Sequence, residues 1–374
     1  MATVEAARGS DDRLRSLGRA ALPILALTIL AAVVGLSLWA AAAVGTLGFD
    51  FLAYHQAATR VLAGERLYDP SVQVTGGFGL FYYPPPFVLP ILPFALLDPV
   101  VATWLWVAAS IAAFLAGVAV MPVNSTIRWA TVLLAGLSWP FAYAIKLGQV
   151  GPMLFLLFAI GWRWLDDPRA VGGSAAAGAI VKIQPGLVLV WAALTRRWSA
   201  VMVGVAVLVV AAVAATLLTG GPSVWTDYLA LLQNVSDPIA TPHNFTPGAV
   251  AFQAGASSSV ATVIQVASSL GAVAVFVLAA LRASAAASYL VAVTASQLLS
   301  PVLWDHYAML LLLPGAYLLS KGLWWAAAIP VATSATLLLG APAAIYPVAF
   351  WVTLLALLVV GLGEREPRLE PAAT

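Results

Sequence analysis

The chain has no cysteine, three histidines, and charged residues at only 9% of its composition. Without thiols there is neither a disulfide framework nor a thiolate metal centre, and the redox compartment cannot be read. The formal net charge of +2 is too small for a nucleic-acid partner, and the basic residues are scattered over short loops with no tail or patch. No His-x-x-Glu pair or carboxylate cluster carries metal-ligand spacing, so metal dependence is not indicated. What fills the space is apolar: 62% of residues are hydrophobic, with a mean hydropathy of +0.98. That balance excludes a water-soluble fold and requires several membrane-spanning helices.

At about 20 residues per crossing, the length accommodates roughly ten to thirteen spans. The first apolar run, Ala21 to Val44, follows Arg13, Arg15 and Arg19. It is too long for the core of a cleaved signal peptide and reads as an uncleaved anchor. Cytoplasmic loops of membrane proteins are enriched in lysine and arginine. Arg8, Arg128, Arg163, Arg169, Arg196, Arg197, Arg282, Lys321, Arg365 and Arg368 all fall on one side if 171–194 is a broken pair and 84–97 dips in without crossing. The expectation is an all-α polytopic protein of about 12 transmembrane helices with both termini inside. Its parts are a cytoplasmic tail at 1–20, a single transmembrane domain at 21–362 and a second tail at 363–374. Exoplasmic loops are expected at 45–85 and 220–256. The alternative for 84–97 is a short true span, which would invert the sidedness of every later loop.

Lys182 is the most informative single residue. It lies inside the apolar stretch from Val171 to Leu194, where a charge costs about 2.5–3.5 kcal/mol and requires an anionic partner or a wet cavity. Pro185 breaks the helix beside it, and irregular backbone at that depth belongs in a protein-lined cavity. An ion pair with Asp305 or Asp50, or snorkelling to the headgroups, is the structural reading. Under the expected topology the scarce polar residues collect on the outer side: Asp50, His55 and Arg60 in the first loop, Lys146 and Gln149 in a turn, His243 and Asn244 in a long loop, and Asp305 and His306 at the mouth of a span. From Asp50 to Leu62 a helix would put Phe51, Tyr54, Ala58, Val61 and Leu62 on one face and His55, Gln56, Thr59 and Arg60 on the other, as for a helix resting in the interface. Gly64 would end it, and Leu67-Tyr68-Asp69-Pro70 reads as a turn.

The succession Phe49-Asp50-Phe51, Tyr54, Ala57-Ala58, Gly64, Leu67-Tyr68-Asp69-Pro70 and Tyr83-Pro84-Pro85 resembles the opening of glycosyltransferase family 87. Gly148-Gln149, Lys182 with Pro185, and Ser300-Pro301 with Trp304 and His306 resemble its later landmarks, in order and over nearly the whole chain. The resemblance implies a GT-C fold and a transferase with a polyprenyl-phosphate sugar donor, typically mannose, and a glycolipid or glycan acceptor on the exoplasmic side of a bacterial inner membrane. It implies Asp50 as the catalytic base, whose structural reading is an N-cap.

Transfer of a lipid-linked sugar needs a base for the acceptor hydroxyl and cations or donors for the leaving phosphate. Lys182 and His306 are candidates for the phosphate, with Gln149 and Lys146 beside them. Tyr82 and Tyr83 fit an aromatic belt or a sugar platform; Trp304, His243 and Asn244 are candidate substrate contacts, and Asp305 is placed to orient His306. His55 and Arg60 fit a solvated face or the same substrate. No glycine-rich phosphate loop appears, which argues against a nucleotide-sugar donor, and no cofactor is expected. The competing classes are a lipid or glycolipid flippase, for which broken helices and buried charge are also typical, and a non-enzymatic subunit of an envelope pathway.

Overall fold

Proline and short polar side chains cut the apolar sequence into helices. The computed structural model describes residues 2–68, 80–234 and 237–364, and every regular element among them is helical. Helix α1 (Ala2–Ala43) and α2 (Phe49–Leu62) precede two 3-10 turns, Pro85–Ile91 and Phe94–Leu96. There follow α3 (Pro99–Val120), α4 (Ser125–Gly136), α5 (Trp139–Leu147), α6 (Gly151–Arg163), α7 (Pro168–Val181), α8 (Leu187–Leu194) and α9 (Trp198–Leu218). The remainder is α10 (Ser223–Asn234), α11 (Pro247–Gln253), α12 (Ser258–Arg282), α13 (Ala285–Leu298), α14 (Leu312–Ser320), α15 (Ala328–Leu338) and α16 (Ile345–Gly363).

The starts of these helices follow from capping. Asp98 accepts from the Val100 and Val101 amides at 2.9 and 3.3 Å, with Pro99 in the first turn, where its missing N–H costs nothing. Asp167 with Pro168 repeats the device on α7, and Asn124 caps α4 through the Ile127 amide at 3.0 Å.

The expected count of about 12 crossings is corrected by the structure. Among the described residues five helices are long and apolar enough to cross: Ala21–Ala43, Pro99–Val120, Trp198–Leu218, Ser258–Arg282 and Ile345–Gly363. A sixth is added if α4 and α5, bent by 70° at their junction, form one broken span. The count from sequence gives each apolar run its own crossing, but many runs fold as shorter helices such as Gly151–Arg163 and Ala285–Leu298. With 13 residues in α6 and 1.5 Å per residue, such a helix reaches about 20 Å, short of a hydrocarbon layer of about 30 Å. The twelve-helix layout of the GT-C type therefore does not describe this chain. It is all-α and membrane-associated, with several long apolar helices of the kind found in multi-pass proteins.

Further observations concern the first hundred residues. Residues 2–20, expected as a tail, continue the helix of α1. Helix α2 is packed more deeply than an interfacial helix: Phe51, Tyr54 and Ala58 are buried as expected, but so are Ala57 and His55, whose Nε2 lies 3.2 Å from the Leu97 carbonyl oxygen, while Leu62 of the expected apolar face is exposed. The segment 84–97 forms only the two 3-10 turns, too short to cross. Asp69 and Pro70 of the expected turn, and Arg365 and Arg368 of the expected C-terminal tail, lie outside the described residues.

Small residues let helices approach without a hydrophobic drive between them. Any side chain at Gly172 on α7 would run into the Ala200 carbonyl on α9, and a Cβ at Gly361 on α16 would stand 2.5 Å from the Ala287 Cβ on α13. Every residue of α13 from Ala287 to Leu298 is buried, so this short helix forms the centre of the bundle. Buried Trp191 donates to the Ser288 hydroxyl at 3.0 Å, and Tyr289 donates to the Phe158 carbonyl at 3.0 Å, which fixes α8 and α6 against α13. By contrast Met202, Val209, Val210, Val213 and Leu217 on α9, and Val263, Val266 and Leu270 on α12, are exposed. Apolar surface on that scale is suited to hydrocarbon rather than water.

Candidate active site

Two tight turns bring Asp50 to its position. Gly48, in the left-handed region at φ +71°, precedes α2, and its amide donates to the Lys146 carbonyl at 2.8 Å. Gly148, at φ +70°, ends α5; a Cβ there would sit 2.6 Å from the Phe51 Cβ, so any other residue meets both backbone strain and a clash. Its carbonyl accepts from the Trp106 indole at 2.8 Å. The first turn of α2 is thereby clamped to the α5–α6 turn, and Asp50, half-buried, meets Gln149. Asp50 does not cap α2, whose N-cap position is Gly48 without a side-chain bond.

The Gln149 amide nitrogen donates to Asp50 Oδ2 at 2.6 Å, and Gln149 Oε1 accepts from the Tyr83 hydroxyl at 3.2 Å. The Tyr83 and Tyr54 hydroxyl oxygens are 2.6 Å apart, and the Tyr83 carbonyl accepts from Tyr68 at 2.5 Å. Burial holds the Asp50 carboxyl above its ordinary value; the nearby His306 ring, the Gln149 bond and the Lys182 charge pull it down without reversing the shift.

Lys182 stands where α7 stops. Pro185 has no N–H for the Val181 carbonyl and its ring crowds that group, so α7 stops at Val181; Lys182 is extended, and a 3-10 turn at Gln184–Gly186 leads into α8. The ammonium donates to the Tyr307 hydroxyl at 2.9 Å and lies 4.3 and 5.6 Å from the ring centres of Tyr307 and Tyr83. Among the described residues no carboxylate forms an ion pair with it, neither Asp50 nor Asp305. Gln184 donates to the Ser300 hydroxyl at 3.0 Å, tying this break to the Ser300–His306 segment.

His306 is buried, and neither ring nitrogen has a hydrogen-bond partner among the described residues. Its Nδ1 is 3.5 Å from Asp305 Oδ1, beyond good hydrogen-bond length, and the other carboxylate oxygen is 3.7 Å from Nδ1 of the exposed His243. The Tyr346 hydroxyl fixes this segment, 2.9 Å from the Trp304 carbonyl oxygen and 2.6 Å from that of Asp305. Gly151, Leu154, Lys182, Gln297, His306, Tyr307 and Leu310 line a narrow cavity with space for little more than a water molecule.

Of the residues singled out in the sequence, Asp50, Gln149, Tyr83, Lys182, Asp305 and His306 come together, with His243 at the rim and Trp304 half-buried beside them. Others do not join. Lys146 places its ammonium over the Tyr143 and Trp139 rings at 4.8 and 6.0 Å and is absent from the cavity lining. His55 turns to Leu97, Arg60 donates to the Leu67 carbonyl at 3.0 Å, and the Tyr82 hydroxyl is buried without a partner among the described residues. Asn244 is fully buried and structural: its amide donates to the Pro238 and Pro301 carbonyls at 2.8 and 3.1 Å and accepts from the Thr246 and Leu303 amides at 2.9 and 3.0 Å. Asn244→Ala strips four backbone groups of their partner, those of Thr246 and Leu303 buried, and is expected to destabilise the fold by about 1–3 kcal/mol. A lowered melting temperature in detergent is the check; an unchanged one contradicts this role.

Tyr307, Tyr54 and Gln297 are not among the sequence candidates. Tyr307 is signalled only by its place beside His306, and Tyr54 by its place in the family-like succession, on a helix face that otherwise reads as plain apolar packing. Among the described residues no three histidine or carboxylate side chains converge to hold a metal ion.

Comparison with known proteins gives one family: the model of glycosyltransferase family 87 matches residues 81–301. No curated protein and no solved structure matches the chain. The match includes Tyr83, Gln149 and Lys182, while Asp50 lies before it and His306 after it. Those two reach the site through the fold.

Proposed function

The chain belongs to glycosyltransferase family 87, and on that premise we propose that it transfers a hexosyl group, mannose by the family resemblance, from a polyprenyl phosphate to a hydroxyl of a glycolipid or glycan. The observation that carries this reading is the meeting of Lys182 and His306 at one site, in a cavity that must widen from its present water-sized volume to admit a phosphate. Among the described residues the half-buried Lys182 ammonium has no carboxylate ion pair and His306 Nε2 has no hydrogen-bond partner, so the two together offer donors to an incoming anion. A lipid-linked phosphate at the end of a chain dissolved in the bilayer supplies one.

In the proposed reaction the acceptor oxygen attacks the anomeric carbon and its proton passes to Asp50. The bond from that carbon to the phosphate oxygen breaks, the electron pair remains on the phosphate, and the sugar inverts. Lys182 and His306 compensate the charge gathering on the leaving group, which is where fixed donors lower a barrier most. Burial favours the neutral His306 ring, with Asp305 beside Nδ1, and an arriving phosphate anion favours the protonated one, whose Nε2–H then faces it. Burial of Asp50 brings its basicity nearer to the working pH than that of an ordinary carboxylate. The placement of this single transmembrane domain in a bacterial cell membrane, with the site on its exoplasmic side, rests on the family resemblance.

The test is the purified protein in vesicles containing polyprenyl-phosphate mannose and a panel of lipid acceptors. The expected result is a new glycoside and free polyprenyl phosphate in equal amounts. Movement of lipid between leaflets with no glycoside formed would identify a transporter instead.

A further inference from the structure

We propose that Gln149, itself held by Tyr83 and Tyr54, is a positioning residue for the Asp50 carboxylate and not a ligand of the donor phosphate. The inference rests on the reading of Asp50 as the base. Gln149, Tyr83 and Tyr54 are all more than nine-tenths buried, with 6%, 8% and 1% of their surface exposed. Protein groups alone must therefore satisfy their polar atoms.

The chemistry of the donors gives the chain of bonds a single sense. An ionised carboxylate only accepts, so the 2.6 Å bond to Asp50 Oδ2 must come from the Gln149 NH2 group. The amide oxygen then faces Tyr83 at 3.2 Å, and because that oxygen cannot donate, the Tyr83 hydroxyl proton is committed to it. Tyr54, 2.6 Å away, is left to donate to Tyr83. Each donor thus points toward Asp50, an arrangement that strengthens along its length and favours the carboxylate over the carboxylic acid.

The backbone fixes both ends. The Gln149 amide donates to the Ala144 carbonyl at 2.9 Å beyond the left-handed Gly148, and the Tyr83 carbonyl accepts from Tyr68 at 2.5 Å. Gln149 is absent from the lining of the Lys182–His306 cavity, so its amide is directed at the base and away from the proposed phosphate position. Tyr83 is shared: its hydroxyl serves Gln149, and the centre of its ring lies 5.6 Å from the Lys182 ammonium. One side chain therefore sets the spacing between base and cation.

The test is the pH dependence of kcat/KM in the reconstituted protein. Removing the Gln149 donor in Gln149→Leu favours the protonated form of Asp50, so the acid limb should move upward by about one pH unit, with the donor KM unchanged. Tyr83→Phe should move the limb in the same direction by less. Gln149→Glu keeps the size of the side chain, so it guards against a simple packing defect. Two carboxyl groups at that distance cannot both ionise, and its acid limb should move further up. Tyr317→Phe, which removes a buried hydroxyl bond to Glu364 elsewhere, should keep the wild-type limb. An unmoved limb in both Gln149 variants, or a raised donor KM with an unmoved limb, overturns the proposal. Full transfer by Asp50→Asn would instead remove the premise that Asp50 is the base.

Discussion

Asp50→Asn is expected to lower sugar transfer by about 10²–10⁴-fold, the usual contribution of a positioned general base, while the protein folds and binds donor as before. The substitution is a narrow one. An asparagine oxygen still accepts from the Gln149 amide nitrogen, 2.6 Å from the carboxylate oxygen it replaces, so the clamp between α2 and the α5–α6 turn is preserved and only the basic oxygen is lost. The pH profile provides a second check. With Asp50 present, transfer requires the carboxylate and falls as pH drops through a value raised by burial above the ordinary carboxylate range. In the asparagine protein that acid limb should vanish and the residual rate should be flat. Transfer at the wild-type rate with matched expression would show that another group takes the proton.

Lys182→Met should be nearly as damaging, by about 10²–10³-fold in kcat/KM. Methionine occupies much of the volume of the lysine stem and keeps the cavity closed, but it removes the only ammonium in the cavity lining. It also removes the 2.9 Å bond to Tyr307. Charge develops on the leaving phosphate mostly at the transition state, so kcat should fall more than the donor KM rises. The ammonium is held by one hydroxyl and two ring faces and by no ion pair among the described residues, so the same substitution should change thermal stability little. Loss of stability together with an unchanged kcat would mark Lys182 as structural and would leave the phosphate without its proposed partner.

The sequence shows the membrane class, the break at Lys182 and the side chains that meet at the site, and it does so for physical reasons. A charge in an apolar run and a proline three residues later constrain the chain locally, whatever surrounds them. The number of crossings is not local in this sense. Whether the run Ala285–Leu298 spans the bilayer or lies enclosed at the centre depends on what packs around it, and its hydropathy is the same either way. Partners are equally non-local. Lys182 could have paired with Asp50 or Asp305 by charge alone, and the fold gives it Tyr307. Gln149 reads as a phosphate ligand when seen beside Lys146, but the left-handed turn at Gly148 aims it at Asp50 while Lys146 rests on Tyr143. Asn244 beside His243 looks like a loop contact for substrate, and four backbone bonds make it a rivet between 238 and 303.

The segments that meet at the site are dispersed along the chain: the start of α2, the α5–α6 turn, the end of α7 and the stretch before Leu312. A chain made from its N-terminus places Asp50 and Gln149 together early, yet the Tyr307 hydroxyl and the His306 ring arrive only after α13 has been threaded into the middle of the bundle. On the proposed reaction a nascent chain therefore holds an incomplete site until its last third is made, and truncations ending before Ser300 should be inert even where their earlier helices insert normally.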